Sequence, residues 1–248
     1  MAWRWASASD IGTSHIQSDD KLQDAYVVSL VKEKYIFALV SDGAGSALYG
    51  RNGAWIVSRT FAVLFREWIN NNDCLPNENV VADWIDSIRD RIGAIATNRD
   101  TTPRQFAATL AVLMVSPSEI ITAHIGDSAI VGRRDSEWEV LCWPENGEYA
   151  STTYFITDEP EPRLNVARSP MEFDAFALFS DGVGELALSH TENKAHTPFF
   201  VPMIRPIDSV ETLGHLTDLS RKLKTYLASP AVCERTDDDK TLILISGI

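Results

Sequence analysis

The chain has 248 residues, of which 45% are hydrophobic, so it can bury a sizeable core, and we expect one domain over 1–248. Its 35 acidic residues outnumber 22 basic ones, and the net charge of −13 disfavours binding to nucleic acid or to an anionic membrane surface. The start of the chain has no apolar core behind a basic segment, no apolar run of about 18 residues occurs, and the three cysteines form no zinc-like pattern. These features predict a cytoplasmic protein that does not span a membrane.

The first half of the chain predicts a β-hairpin followed by two helices. Residues 25–31 and 35–41 are short, apolar and rich in β-branched or aromatic side chains, and a charged Lys-Glu-Lys turn separates them. Residues 52–70 have the composition of a mostly buried helix. From Val81 to Ile95, large apolar residues recur at spacings of three and four, which indicates one apolar face of a second helix.

The second half predicts a return to strands and a further helix. We expect 106–115, 120–125 and 129–133 to be adjacent antiparallel strands of one sheet. Residues 144–163 are expected to form a surface flap that contacts substrate. Residues 176–180 and 241–246 are predicted to be strands, and 209–227 a helix. Two blocks of strands, each followed by helices, indicate the α+β class. The expected architecture is a four-layer α-β-β-α sandwich, in which helix pairs flank two antiparallel β-sheets.

A near repeat is the most informative feature of the sequence. The segments FALVSDGAG and FALFSDGVG each consist of an apolar strand that runs into Ser-Asp-Gly-x-Gly, with the acids at Asp42 and Asp181. Asp-Gly alone is a common turn dipeptide. In two matched contexts it instead predicts carboxylates at two strand ends, beside glycines that permit close backbone approach, which is an arrangement that can bind one cation.

Two further acidic turns extend this pattern. Asp127 follows the strand at 120–125, and the run 237–239 precedes the last strand, although that run alone could be a solvated turn. Carboxylates gathered together repel one another unless a cation lies among them. Oxygen ligands without clustered cysteine or histidine favour hard ions, so the sequence predicts a Mg²⁺ or Mn²⁺ site.

With these motifs the chain resembles the type 2C metal-dependent protein phosphatases, in particular the small, stand-alone bacterial members. The resemblance rests on segments in order along nearly the whole chain: GTSH at 12–15, QDA at 23–25, DGAGS at 42–46, GEYA at 147–150, FITDE at 155–159 and ERTDDDKT at 234–241. It implies a phosphatase that hydrolyses phosphoserine and phosphothreonine in proteins, and it suggests a cognate bacterial serine/threonine kinase.

The resemblance also implies roles for individual residues. Asp42 would bridge two Mg²⁺ or Mn²⁺ ions with the Gly43 carbonyl as a further ligand, and Asp181 and Asp238 would complete one metal site. Asp127 matches the aspartate of the family's Gly-Asp-Ser turn, which helps to hold a third, weaker ion in some members. A water that bridges the two ions would attack phosphorus, and Asp24 would order a metal-bound water.

Three positions depart from the family pattern. Gln23 stands where many members have a glutamate, so metal affinity at the second site is expected to be lower. His15 occupies the position of the phosphate-binding arginine, which makes it a candidate phosphate contact or, alternatively, an ordinary surface or hydrogen-bonded histidine. Ala44 replaces a histidine that donates a proton in some members, so another group or water must protonate the leaving group.

These departures leave a second interpretation open. A pseudophosphatase would recognise phosphorylated partners with little turnover, although the presence of Asp42, Asp181 and Asp238 favours an enzyme. A phosphatase with an aspartyl nucleophile would need a DxDx[TV]-type strand end, whereas both strand ends here read SDGxG.

Overall fold

The computed structural model describes residues 2–145 and 153–247. In chain order the strands are β1 Trp3–Asp10, β2 Ala25–Val31, β3 Tyr35–Ser41, β4 Leu110–Val115, β5 Glu119–Ile125, β6 Ala129–Arg134, β7 Glu137–Cys142, β8 Asn165–Pro170, β9 Ala175–Phe179, β10 Leu188–Ser189, β11 Lys194–Ala195, β12 Gly214–His215 and β13 Lys240–Gly247. The α-helices are α1 Thr13–Ser18, α2 Gly50–Asn72, α3 Glu78–Asn98, α4 Asp181–Ala187, α5 Thr197–Asp208, α6 Thr217–Leu227 and α7 Pro230–Cys233, and a short 3-10 helix spans Pro103–Phe106.

The chain forms two compact units, each built around one large sheet. The five-stranded unit comprises Gln23–Ser128 and Pro144–Met171, and the six-stranded unit comprises Met1–Leu22, Ala129–Trp143 and Glu172–Ile248. The predicted α+β class, with two sheets that each carry helices, is confirmed.

In the five-stranded unit the strand order is β2-β3-β4-β5-β8, and every neighbouring pair is antiparallel. Helices α2 and α3 share one apolar core with this sheet, in which the Phe37 ring stacks on Phe61 and Phe65. The Asn77 side chain accepts the Val80 N–H at 3.0 Å and so caps α3. This unit confirms the predicted hairpin and both predicted helices.

In the six-stranded unit the strand order is β12-β1-β13-β9-β6-β7. All pairs are antiparallel except the short parallel pair of β1 with β12. Helices α5 and α6 pack against β13 and β1 and share their apolar core. No helix among the described residues is long and apolar enough to cross a lipid bilayer.

Two predicted elements are wrong. The strand at 129–133 does not join the sheet of 106–115 and 120–125, because Gly126 turns the chain with a φ of 105° and β6 pairs with β7 and β9 instead. The helix predicted over 209–227 begins only at Thr217. Before it, Gly214 has a φ of 84° and pairs with β1, and the Leu216 N–H donates to the Trp5 carbonyl at 2.8 Å.

Candidate metal-dependent phosphatase site

In the five-stranded unit, Asp42 follows β3, and hydrogen bonds to Thr109 hold this strand end in place. The Asp42 N–H donates to Thr109 Oγ1 at 2.9 Å, and the Thr109 N–H donates to the Asp42 carbonyl at 2.8 Å. Ser41 Oγ donates to the Thr109 carbonyl at 2.6 Å. The backbone that carries the Asp42 carboxylate is therefore fixed on both sides of its Cα atom.

Gly43 is needed where it stands. Its backbone pairs with Ala108, and a Cβ atom on it would overlap the Gly50 carbonyl and lie 2.8 Å from the Arg51 nitrogen. Any side chain at this position would push the strand end away from the start of α2. The first glycine of the motif thus lets the chain turn closely from the Asp42 strand end into the helix.

Asp127 lies on the turn between β5 and β6, beside the same threonine. Thr109 Oγ1 is 3.3 Å from Ser128 Oγ, and a Cβ atom on Gly126 would lie 2.7 Å from Thr109 Cγ2. His124 is buried and its Nε2 is 2.7 Å from the Ser128 carbonyl oxygen, so a hydrogen bond from the ring stabilises the turn. Desolvation by burial lowers the pKa of His124, which keeps the imidazole neutral near pH 7.

These contacts bring Asp42 and Asp127 together. Each offers a carboxylate oxygen within 4.8 Å of the other, and both side chains are half-buried. Because Ala25 pairs with Ser41, the residues before β2 lie beside the same strand end, and Asp24 there is only 7% exposed. The donor set is made of oxygen atoms, which fits Mg²⁺ or Mn²⁺.

In the six-stranded unit, Asp181 is the first residue of α4, directly after β9 and Ser180. The Thr241 N–H donates to Ser180 Oγ at 2.9 Å, and the Ser180 N–H donates to the Thr241 carbonyl at 3.2 Å. A Cβ atom on Gly182 would overlap the Asp239 carbonyl oxygen. The second SDGxG motif is therefore packed against the acidic run that precedes β13.

That acidic run is fixed by α1 and by a buried lysine. The Gly12 N–H donates to Asp239 Oδ1 at 2.7 Å, and the Ser14 N–H donates to the Asp237 carbonyl at 3.0 Å. Lys240 is fully buried, and its Nζ donates to the Ile11 and Asp238 carbonyls, each at 3.1 Å. The Asp238 carboxylate is half-buried and accepts the Asp239 N–H at 2.7 Å.

His15 lies in this same arrangement. Its Nδ1 is 3.0 Å from Asp239 Oδ1, and its side chain is 16% exposed, against 1% for Asp239. The ring thus lies at hydrogen-bonding distance from a buried carboxylate, which agrees with the hydrogen-bonded alternative and leaves its contact with phosphate a prediction. This contact with Asp239 restricts the orientation of the His15 ring.

The structure thus places all the acidic residues of the predicted site at strand ends, as the sequence indicated. The sequence analysis missed Thr109, which ties Asp42 to the Asp127 turn, and it missed Lys240 and the contact of Asp239 with His15. A lysine at the first position of an otherwise apolar strand was the available signal for Lys240. The GEYA motif at 147–150 lies outside the described residues, as do residues 146–152 of the predicted flap.

Comparison with known proteins identifies the family of the chain. A family model described as protein phosphatase 2C matches residues 11–228. Serine/threonine-protein phosphatase 3 of Escherichia coli is 35% identical over 249 residues, which cover 98% of this chain and 98% of the relative.

Solved structures with 17% sequence identity share the fold. The serine/threonine phosphatase Stp1 from Staphylococcus aureus has a TM-score of 0.66 and covers 98% of this chain and 94% of its own. PppA of Pseudomonas aeruginosa has a TM-score of 0.69, with 100% of this chain and 99% of its own covered. The catalytic domain of the phosphatase PstP, solved with 2 manganese ions, has a TM-score of 0.61, with 99% and 98% covered. The chain belongs to the protein phosphatase 2C family of metal-dependent serine/threonine phosphatases.

Proposed function

We propose that Asp42, Asp181 and Asp238, together with the Gly43 carbonyl, hold two divalent cations, Mn²⁺ or Mg²⁺, at which phosphoserine and phosphothreonine of protein substrates are hydrolysed. The observation that carries the proposal is the pair of half-buried carboxylates, Asp42 and Asp127, whose oxygens lie within 4.8 Å of each other. Two carboxylates this close repel each other unless cations bind beside them. Asp127 and Asp181 are the proposed ligands of a third, weaker ion.

When bound, the two ions would supply Lewis-acid activation of a water molecule for in-line attack on phosphorus. The residues of the chain then have three tasks. Asp42 and Asp181 position charge at rigid strand ends, Asp24 orders water near the start of β2, and His15 contacts a phosphate oxygen in place of the usual arginine. The two cations would make the site locally positive, so the overall charge of −13 does not exclude a phosphorylated substrate.

Gln23 is proposed to tune the second metal site. An amide offers a neutral carbonyl oxygen where a glutamate would offer a charged one, so the ion held there binds less tightly. Substrates are proposed to be proteins phosphorylated by a cognate serine/threonine kinase in the cytoplasm. The three cysteines, Cys74, Cys142 and Cys233, are free thiols, which is consistent with a reducing compartment.

The test is hydrolysis of p-nitrophenyl phosphate and of a phosphothreonine peptide with Mn²⁺, with Mg²⁺ and with EDTA. We expect turnover that requires either ion and falls by at least about a thousandfold in Asp42→Ala, with unchanged circular dichroism, because Asp42 would be a ligand of both ions. Asp86→Ala is the matched control, since it removes one exposed acid from α3.

Calorimetric titration with Mn²⁺ gives a second readout that does not depend on turnover. Wild-type protein should bind two ions with higher affinity than any third, and Asp42→Ala should lose both tight sites. Retained turnover in Asp42→Ala would refute the assignment of Asp42. Absence of turnover with either ion, in folded wild-type protein, would favour the phospho-binding module instead.

A further inference from the structure

Three exposed arginines lie on the elements that surround the Asp42 loop of the five-stranded unit. Arg51 is at the start of α2, Arg99 caps the C-terminus of α3, and Arg104 is in the 3-10 helix. Leu48 and Trp55 lie beside them with 72% and 54% of their surfaces exposed. We call these five residues the arginine surface.

Backbone contacts tie the arginine surface to the loop that carries Asp42. The Ala44 N–H donates to the Ala107 carbonyl at 2.9 Å, which is three residues from Arg104. The Leu48 N–H donates to the side-chain Oε1 of Gln105 at 2.9 Å, and the Tyr49 N–H donates to the Gln105 backbone carbonyl at 2.8 Å. The backbone of Arg51 lies close to Gly43, because a Cβ atom on Gly43 would be 2.8 Å from the Arg51 backbone nitrogen.

Aromatic rings hold two of these arginines in place. The Arg99 guanidinium lies 4.9 Å from the centre of the Tyr49 ring, and the Arg104 guanidinium lies 4.8 Å from the centre of the Phe155 ring. Tyr49 in turn stacks on the buried Phe106 at 5.0 Å. A guanidinium held over a ring loses less conformational entropy when it binds a carboxylate than a freely mobile guanidinium does.

The arginine surface carries three cationic side chains in a protein with a net charge of −13. In the described part of the chain, none of the three guanidinium groups lies within ion-pair distance of a carboxylate, whereas Arg133, Arg134 and Arg168 are each paired with acids. Asp100 is the acid next to Arg99 in sequence, and it forms the turn that ends α3. Three cations with bidentate donors, beside exposed Leu48 and Trp55, complement an acidic segment that also carries apolar side chains.

We propose that the arginine surface docks acidic residues that flank the phosphorylated residue of the protein substrate. The inference rests on the proposed function, because it places the phosphorylated residue at Asp42. An extended peptide advances about 3.3 Å per residue. Because hydrogen bonds tie the arginine surface to the loop that carries Asp42, residues a few positions from the phosphorylated one come within its reach. The enzyme therefore selects substrates with aspartate or glutamate at those positions.

The experiment compares two synthetic phosphothreonine peptides of about twelve residues. One carries aspartates three to five positions from the phosphothreonine, on either side, and the other carries asparagines there. We expect wild-type kcat/KM to be about tenfold higher for the acidic peptide at low salt. We expect this ratio to shrink at 0.5 M salt, because the Debye length falls from about 30 Å at 0.01 M ionic strength to about 4 Å at 0.5 M.

Charge reversal locates the preference. The ratio of kcat/KM for the acidic over the neutral peptide should fall to about one in Arg51→Glu combined with Arg104→Glu, and it should fall partway in Arg99→Glu. Arg66→Glu and Arg91→Glu are the controls, because each reverses an exposed arginine on the same helix as Arg51 or Arg99, and the ratio should stay at its wild-type value. Arg104→Lys keeps the positive charge beside the Phe155 ring but removes the bidentate guanidinium. This variant should therefore lose only part of the preference for the acidic peptide.

A binding measurement separates this proposal from the proposed function. Fluorescence anisotropy of the labelled acidic peptide in EDTA should show weaker binding in the double variant than in wild type, whether or not the metal-loaded protein hydrolyses anything. Failure of turnover with p-nitrophenyl phosphate would count against the proposed function alone. Equal ratios in wild type and the double variant, or an equal loss in the control variants, would overturn the arginine surface. Binding that depends on the arginines without any change in the kcat/KM ratio would also overturn it, because the occupant would then be an acidic partner other than the substrate.

Discussion

The substitution Gly182→Ala tests whether the second SDGxG motif depends on its first glycine. A Cβ atom at this position would overlap the Asp239 carbonyl oxygen and lie 3.0 Å from the Asp239 carbonyl carbon. Both neighbours are backbone atoms of a segment that hydrogen bonds to Gly12 and Ser14 hold in place. The overlap can therefore be relieved only by moving α4 or the acidic run.

The expected cost follows from the packing of this region. Overpacking a tightly packed site raises the free energy of the folded state by about 1–3 kcal/mol. In a chain of this length each kcal/mol lowers Tm by about 2–4 °C, so Gly182→Ala should lower Tm by about 2–12 °C. Activity should fall further, because Asp181 and Asp238 lie on the two segments that must separate.

Gly184→Ala is the matched control, since it lies two residues away in the same motif and a Cβ atom there meets nothing within 4 Å. Alanine is favoured over glycine in a helix by about 0.5–1 kcal/mol, so Gly184→Ala should keep or raise Tm. Thermal unfolding followed by circular dichroism in EDTA compares the variants without any contribution from bound metal. If Gly182→Ala keeps the wild-type Tm, or if Gly184→Ala loses as much stability, the steric argument is wrong.

Two further predictions concern the five-stranded unit. Asn77→Ala removes the side chain that accepts the Val80 N–H at the start of α3, so it should lower the free energy of unfolding by about 1 kcal/mol in denaturant titration. Asn98→Ala, at the end of the same helix, should not lower it. Equal effects of the two substitutions would contradict the capping role of Asn77. His124 has a lowered pKa in the folded state, so the unfolded chain binds more protons below about pH 6.5 and stability should fall as the pH decreases from there. The loss of Tm between pH 7.5 and pH 5.5 should therefore be smaller in His124→Gln than in wild type, and an equal loss in both proteins would show that other groups cause it.

The sequence predicted those elements whose apolar pattern is uninterrupted. The hairpin of β2 and β3 lies at the predicted residues, and the two long helices α2 and α3 extend the predicted ranges by a few residues. Local periodicity decides such elements because each buries a continuous apolar face. The strand ends at Asp42 and Asp181 were predictable for the same reason.

Other elements depend on contacts that are distant in sequence. Strand β1 contains two buried polar residues, Arg4 and Ser7. Partners that are distant in sequence satisfy their hydrogen bonds, because Arg4 Nη2 donates to the Asp208 carbonyl and Ser220 Oγ accepts the Ser7 N–H. Helix α5 contains two internal prolines, Pro202 and Pro206, that a sequence pattern treats as helix breakers. The choice of sheet for β6 rests on its pairing with β9, more than forty residues further along the chain. None of these partners is visible in a local window of sequence.

The pairing of β1 with β13 has a consequence for how the protein is made. The first strand of the six-stranded sheet pairs along its whole length with the last strand of the chain, and β13 also separates β1 from β9. On a ribosome the described strands of the five-stranded unit can pair once Pro170 has emerged, whereas the six-stranded sheet cannot close until β13 leaves the exit tunnel. The proposed ligand Asp238 is two residues before that strand. A nascent chain should therefore have no phosphatase activity until β13 has emerged, and truncation before β13 should leave a partly folded protein without a working site.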